Sequence, residues 1–171
     1  ESWENSESGK VWKFKIREGV KFSDGTEMTP ERVKSSLERT FKLSKRASTF
    51  FMPSSIKVDG QYLVISTDKP VTILPECLAD PLFIIVNTDA DTSTFAMKGP
   101  ICTGPYIVES FNPTEVCIVI KNKHYWNGEV PLDKVTFKCI NDQATRSMAL
   151  QSGEIQVAYN LKTENLQDFE N

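Results

Sequence analysis

Apolar and basic residues alternate from Val11 to Arg17, through Trp12-Lys13-Phe14-Lys15-Ile16. That is the period of a strand with one buried face. Val20 and Phe22 are its last beats, and Ser23-Asp24-Gly25-Thr26 is turn chemistry. Thr29 is then the expected N-cap of a helix. Pro30 stands at its first position, where a missing N–H costs nothing, and Glu31 meets the positive end of the dipole. Val33, Leu37 and Phe41 follow at i, i+4 and i+8, a narrow apolar stripe. Residues 44–53 break that stripe and end at Pro53.

Further on, Ile56-Lys57-Val58 and Gln61 to Ile65 flank Asp59-Gly60, which predicts a hairpin closed by a type I′ turn. Pro70 to Leu78 is expected to form a short helix and Leu82 to Val86 a buried strand. Residues 87–98 (NTDADTSTFAMK) are small and polar, the composition of a linker. Beyond them the pattern restarts. Tyr106–Phe111, Glu115–Lys121 and Val135–Ile140 are predicted strands. Ala144–Gln151 is a predicted helix with Gly153 as its C-cap. Ile155–Tyr159 is a further predicted strand and Lys162–Phe169 a final helix. Strands and helices are interspersed without a strict βαβ rhythm, so the expected class is α+β, a mixed sheet flanked by helices.

Composition narrows the function classes. The chain has 171 residues, 39% of them hydrophobic, 25% charged and 10% aromatic. These are ordinary proportions for a globular protein. A net charge of −3 gives no nucleic-acid footprint. No apolar run reaches the roughly 18–20 residues of a membrane span. The chain opens on Glu1-Ser2-Trp3, without an initiator Met or a secretion signal, and reads as an excerpt of a longer protein.

Candidate chemistry is sparse. The four cysteines, Cys77, Cys102, Cys117 and Cys139, form no CxxC pair, and His124 is the only histidine. A structural zinc site needs four such ligands at tight spacing, so no metal site is expected. Cys117 and Cys139 lie in strand patterns and could face each other across a sheet. They are read as small buried hydrophobes in preference to a disulfide. No GxSxG, HExxH, P-loop or GxGxxG occurs. A hydrolytic triad would need His124, which lies in the turn-like stretch Asn122 to Gly128. Asp89 and Asp91 sit in the linker and are expected to be solvated. The expectation is no enzyme and no cofactor.

The spaced motifs carry a resemblance. Gly9-Lys10-Val11-Trp12-Lys13-Phe14 and Arg17-Glu18-Gly19-Val20-Lys21-Phe22-Ser23-Asp24-Gly25-Thr26 open the series. Thr103-Gly104-Pro105-Tyr106, then Asn122 to Gly128 with Tyr125-Trp126, continue it. Leu132 to Phe137 and the run Thr145-Arg146 to Ile155 close it. In this order they resemble family 5 extracellular solute-binding proteins, the peptide-, dipeptide- and nickel-binding receptors of ABC importers. Cys102 stands where that family has a glycine, and Gln156 where it has an aspartate.

The resemblance implies a two-lobed, periplasmic-binding-protein-like fold with ligand trapped between the lobes, of which this chain carries part of one. Residues 1–96 would be the small extra subdomain of lobe one and 97–171 part of its core sheet. It implies an extracytoplasmic receptor, in the periplasm or as a surface lipoprotein, and a monomer that delivers its ligand to importer transmembrane subunits. Oligopeptides are the first ligand class. A nickel or metal-chelate receptor, or a signalling or chaperone-like module, is the alternative. Arg46, Phe50 and Phe51 are the ligand-side candidates: Arg46 to pair with a carboxylate, the phenylalanines to offer an apolar wall. Trp12, Phe14 and Phe22 are expected in the core, each worth about 1.5–3 kcal/mol of burial.

Overall fold

The computed structural model describes residues 1–161. Two antiparallel sheets organise them. The first is ordered β1-β2-β4-β3, from β1 (Ser2–Ser6), β2 (Val11–Lys15), β3 (Pro53–Asp59) and β4 (Tyr62–Thr67). Its register sets Trp12 against Ile65 and Ile65 against Ile56. The neighbouring row joins Phe14, Leu63 and Val58. Alternation puts these apolar rows on one face, as the Val11–Arg17 pattern requires.

That face is covered by α1 (Pro30–Leu43), where Val33 and Leu37 are buried. Thr29 caps it, its hydroxyl oxygen accepting from the Arg32 N–H at 3.5 Å. α2 (Ala47–Phe50) follows α1. Trp12, Leu63, Ile65 and Leu74 are 4% exposed or less, and Phe22 is fully buried. Phe14 is half-buried at the margin of this core. β1 is an element the sequence reading left out. Its five residues are all exposed, so no buried face marks it.

The Asp59-Gly60 hairpin forms, with a different turn. Asp59 pairs with Tyr62, leaving Gly60-Gln61 as the loop. Gly60 has φ of 56°, and Gln61 stays outside the left-handed region. Positive φ at the first loop position alone is the type II′ pattern, where type I′ was expected.

The strand expected over 82–86 is absent. The run begins with a 3₁₀ turn, Pro81–Phe83, capped by the Asp80 carboxylate on the Leu82 N–H at 2.8 Å. Val86 keeps only an isolated antiparallel bridge to Cys102, and its N–H donates to Ser36 Oγ, a side chain of α1, at 2.9 Å. Phe83 and Val86 are nevertheless buried. The short helix α3 (Leu74–Leu78) precedes this run.

Residues 87–98 also carry more structure than a linker. A 3₁₀ turn, Thr92–Thr94, leads into α4 (Phe95–Lys98). Asp89 is ion-paired with Arg32 at 2.8 Å, and Asp91 accepts from the Ser93 N–H. Neither carboxylate is merely solvated, because each meets a donor in a neighbouring turn or helix.

The second sheet is ordered β5-β6-β7: β5 (Tyr106–Asn112), β6 (Val116–Lys121) and β7 (Lys134–Lys138). α5 (Gln143–Gln151) follows, with Asp142 as N-cap. Gly153, just past its end, has φ of 77°, the left-handed conformation a C-terminal glycine supplies. The α+β class holds, with every pairing between named strands antiparallel and the strands divided between two sheets.

The strand expected over 155–159 does not form. The Ile155 N–H returns to the Ala149 carbonyl at 3.1 Å. The Asn160 carbonyl is held by Gln143 and Arg146 of α5. The segment is thereby tied to the helix that precedes it, with Val157 and Tyr159 exposed. The final helix expected at 162–169 lies outside the described residues.

Candidate functional site

Arg46, Phe50 and Phe51 gather around the C-terminal end of α1. Arg46 is exposed, its Nη2 3.4 Å from an Asp80 carboxylate oxygen and its guanidinium 5.5 Å from the Phe50 ring centroid. Phe51 is 4% exposed. It stacks on Phe83 at 5.5 Å and meets Phe41 edge-on at 5.0 Å. Phe50 is half-buried and edge-on to Phe83 at 5.6 Å. The three therefore form a graded unit: a solvent-facing cation, an aromatic beneath it, and an anchor in the core.

The spaced motifs of the sequence meet at a second place. In the opening turn, the Asp24 carboxylate accepts from the Thr26 N–H and hydroxyl at 2.9 and 2.6 Å. Asn87, 2% exposed, donates from Nδ2 to Asp24 and to Thr26 Oγ1, both at 3.0 Å. The Ser23 N–H donates to the Cys102 carbonyl at 2.8 Å. Asn122, equally buried, donates to the Gly104 carbonyl at 2.7 Å and accepts from the His124 N–H at 2.9 Å. The His124 imidazole lies against Gly25. Residues far apart in sequence thus clamp the end of the first sheet to the entry of the second.

Burial opposes ionisation of Asp24, yet the hydrogen bonds from Thr26 and Asn87 outweigh it and hold this carboxyl below its ordinary range. Desolvation alone pushes the Cys102 thiol up to about 11. His124 serves as packing and turn closure here. Cys117 and Cys139 are free thiols. Cys117 is half-buried opposite Phe137, while Cys139 is exposed beyond the end of β7, so the expectation of burial fails for Cys139.

A groove adjoins this junction. One cavity of about 390 Å³ is lined by Lys15, Arg17, Glu18, Gly19 and Trp126. A second, of about 320 Å³, shares Glu1, Lys15, Arg17, Val20 and Trp126 with it and adds Trp3, Phe14 and Val33 beside the polar Ser2 and Thr103. The Arg17 guanidinium lies 4.7 Å from the centroid of the Trp126 ring. The sequence placed Trp126 in the turn-like stretch Asn122 to Gly128 and gave Arg17 no ligand role. The one available signal was the exposed beat of Arg17 in the β2 alternation. Among the described residues, no group of three or more His, Cys, Asp or Glu is placed to hold a metal ion. No described helix is long and apolar enough to cross a membrane.

The family described as bacterial extracellular solute-binding proteins, family 5 Middle, matches residues 1–171. The chain belongs to this family. It is 31% identical over 158 residues to the nickel-binding protein NikA of Staphylococcus aureus, covering 92% of this chain and 32% of that protein. It is 30% identical over 166 residues to the glutathione-binding protein GsiB of Escherichia coli, covering 93% and 32%. Its fold matches a nickel ABC transporter structure from Bacillus halodurans with a TM-score of 0.91 and 34% identity, over 99% of this chain and 35% of that one. This family 5 chain spans about a third of the length of the relatives it matches. Both of these curated relatives are named as binding proteins.

Proposed function

We propose that this chain is part of the extracytoplasmic substrate-binding subunit of an ABC importer, with oligopeptides as its ligand class. The carrying observation is the family match across all 171 residues. In this reading the complete protein is a monomer that traps ligand between two lobes and hands it to the transmembrane subunits. Residues 1–96 form the small extra subdomain of lobe one and 97–171 part of its core sheet. The division of the strands into two sheets supports that assignment.

Arg46 is the proposed ligand contact, offering a charged fork to a peptide carboxylate. Phe50 is the apolar wall beneath it, and Phe51 holds both in place from the core. A second reading is a receptor for nickel or a nickel chelate. It is favoured by the nickel-binding relative and by the nickel transporter structure.

Mass spectrometry of ligands that co-purify with the complete protein tests the choice. Peptides are expected. A recovered nickel chelate without peptide overturns the peptide assignment. Arg46→Ala should weaken peptide binding by about tenfold while leaving the melting temperature in place. Unchanged affinity would remove Arg46 from the site.

A further inference from the structure

We propose that Asp80 sets how strongly Arg46 selects a ligand carboxylate over an uncharged carbonyl. The inference rests on the reading of Arg46 as a ligand contact and adds a specificity-determining residue to it.

The Asp80 carboxylate serves two partners. Its Oδ1 accepts the Leu82 N–H at 2.8 Å, capping the 3₁₀ turn Pro81–Phe83. Its Oδ2 lies 3.4 Å from Arg46 Nη2. Pro81 fixes the backbone at the first position of that turn. Phe83, 3% exposed, anchors the turn among Phe41, Phe50 and Phe51. The turn belongs to the core, and the carboxylate bonded to its Leu82 N–H is held with it. Asp80 is thus the fixed member of the pair.

The same turn carries the aromatic support. Phe50 is edge-on to Phe83 at 5.6 Å, and its ring centroid lies 5.5 Å from the Arg46 guanidinium. Arg46 is therefore referred to one turn twice, by charge through Asp80 and by a ring through Phe50. Asp80 meets only Nη2 of the guanidinium, and the remaining N–H groups of the fork suit a ligand oxygen. A ligand carboxylate taken there would face Asp80 across the guanidinium. Two like charges roughly 6 Å apart repel enough in surface surroundings to shift an equilibrium about threefold. An uncharged peptide carbonyl meets the same N–H groups without that repulsion. Asp80 consequently narrows the gap between the two kinds of ligand.

Calorimetric titration of the complete protein with trialanine and with trialanine amide tests this, since the two probes differ only in charge at the C-terminus. Asp80→Asn keeps an oxygen for the Leu82 N–H and removes the charge. It should raise the preference for trialanine over its amide about threefold. Asp80→Ser, a second uncharged cap, should do the same. The gain should shrink as salt is raised from about 0.05 to about 1 M, where the Debye length falls to roughly 3 Å. A purely structural role for Asp80 would weaken both probes alike and leave their ratio in place, which overturns the proposal. Arg46→Ala separates the two possible failures. If it weakens trialanine while both Asp80 variants leave the ratio unchanged, Asp80 has no part in selection and the reading of Arg46 stands. If Arg46→Ala changes neither affinity, or neither probe binds, the reading of Arg46 falls and the role of Asp80 falls with it.

Discussion

His124 packs against Gly25: a Cβ added to Gly25 would lie 3.3 Å from the imidazole Nε2. The two residues belong to turns ninety-nine positions apart, and their contact closes the junction between the sheets. Gly25 also has φ of 88°, a conformation that β-branched residues avoid. Gly25→Val should therefore cost about 1–3 kcal/mol, read as a lower melting temperature. Adding His124→Ala should recover only the steric part, because the backbone strain persists. Full recovery would show that φ is not the cause.

Gly99 makes a tighter approach. Its φ is 74°, and an added Cβ would fall 2.6 Å from Val108 Cγ2 of β5. Gly99→Ala should destabilise by about 2–4 kcal/mol, more than Gly25→Ala, where the neighbour is a side-chain edge at 3.3 Å. Val108→Ala should partly rescue it. Chemical denaturation of the four proteins measures the coupling.

Asp24 predicts an acid-sensitive junction. Its folded-state pKa is depressed below the ordinary 3.8. The stabilisation is thus fully present above the unfolded value and is lost as pH falls through the folded one. Melting temperatures recorded downward from pH 5 should fall below about pH 4. Asp24→Asn should flatten that part of the curve. An unchanged acid limb would mean that the Thr26 and Asn87 hydrogen bonds do not favour the carboxylate.

The thiols should separate by reactivity. Cys139 is exposed, whereas Cys102 is held up to about 11 by burial and Cys77 is raised by burial and by Glu76. Because the thiolate is the nucleophile, iodoacetamide at pH 8 should label Cys139 first and reach Cys102 and Cys77 only after denaturation. Peptide mapping by mass spectrometry reads the order. Early labelling of Cys102, which is half-buried, would contradict the desolvation of its thiol.

Phe51 and Arg46 separate anchoring from contact. Phe51→Ala removes a ring packed between Phe41 and Phe83 and should cost about 3–5 kcal/mol. Arg46→Ala, at an exposed ion pair with Asp80, should change stability by less than about 1 kcal/mol. Thermal denaturation of the two variants makes the comparison.

Local rules were written clearly enough in the chain to place many elements. Thr29-Pro30-Glu31 starts α1 because capping, fixed φ and dipole all act within one turn. The β2 alternation predicts Trp12 inside, since side-chain direction in a strand is set by parity alone. Gly153 closes α5 for an equally local reason, whereas its N-cap, Asp142, was not foreseen. The family resemblance was equally legible, in motifs that are each only a few residues long.

Pairing and partnership were decided elsewhere. Leu82–Val86 and Ile155–Tyr159 have the apolar content of strands, yet a strand also needs a neighbouring edge. In the fold Val86 gives its N–H to Ser36, and Ile155 gives its own to Ala149. Phe51 was expected to offer an apolar wall to a ligand, but its place between Phe41 and Phe83 required the chain to fold back. The Arg17–Trp126 stack joins positions 109 residues apart, and no periodicity reports so distant a contact. The sequence by itself determined α1, α5, the hairpin at Asp59-Gly60 and the family, because those follow from neighbours along the chain. The clamp at Gly25, the groove at Trp126 and the anchoring of Arg46 came from tertiary structure alone, because each depends on atoms that only folding brings together.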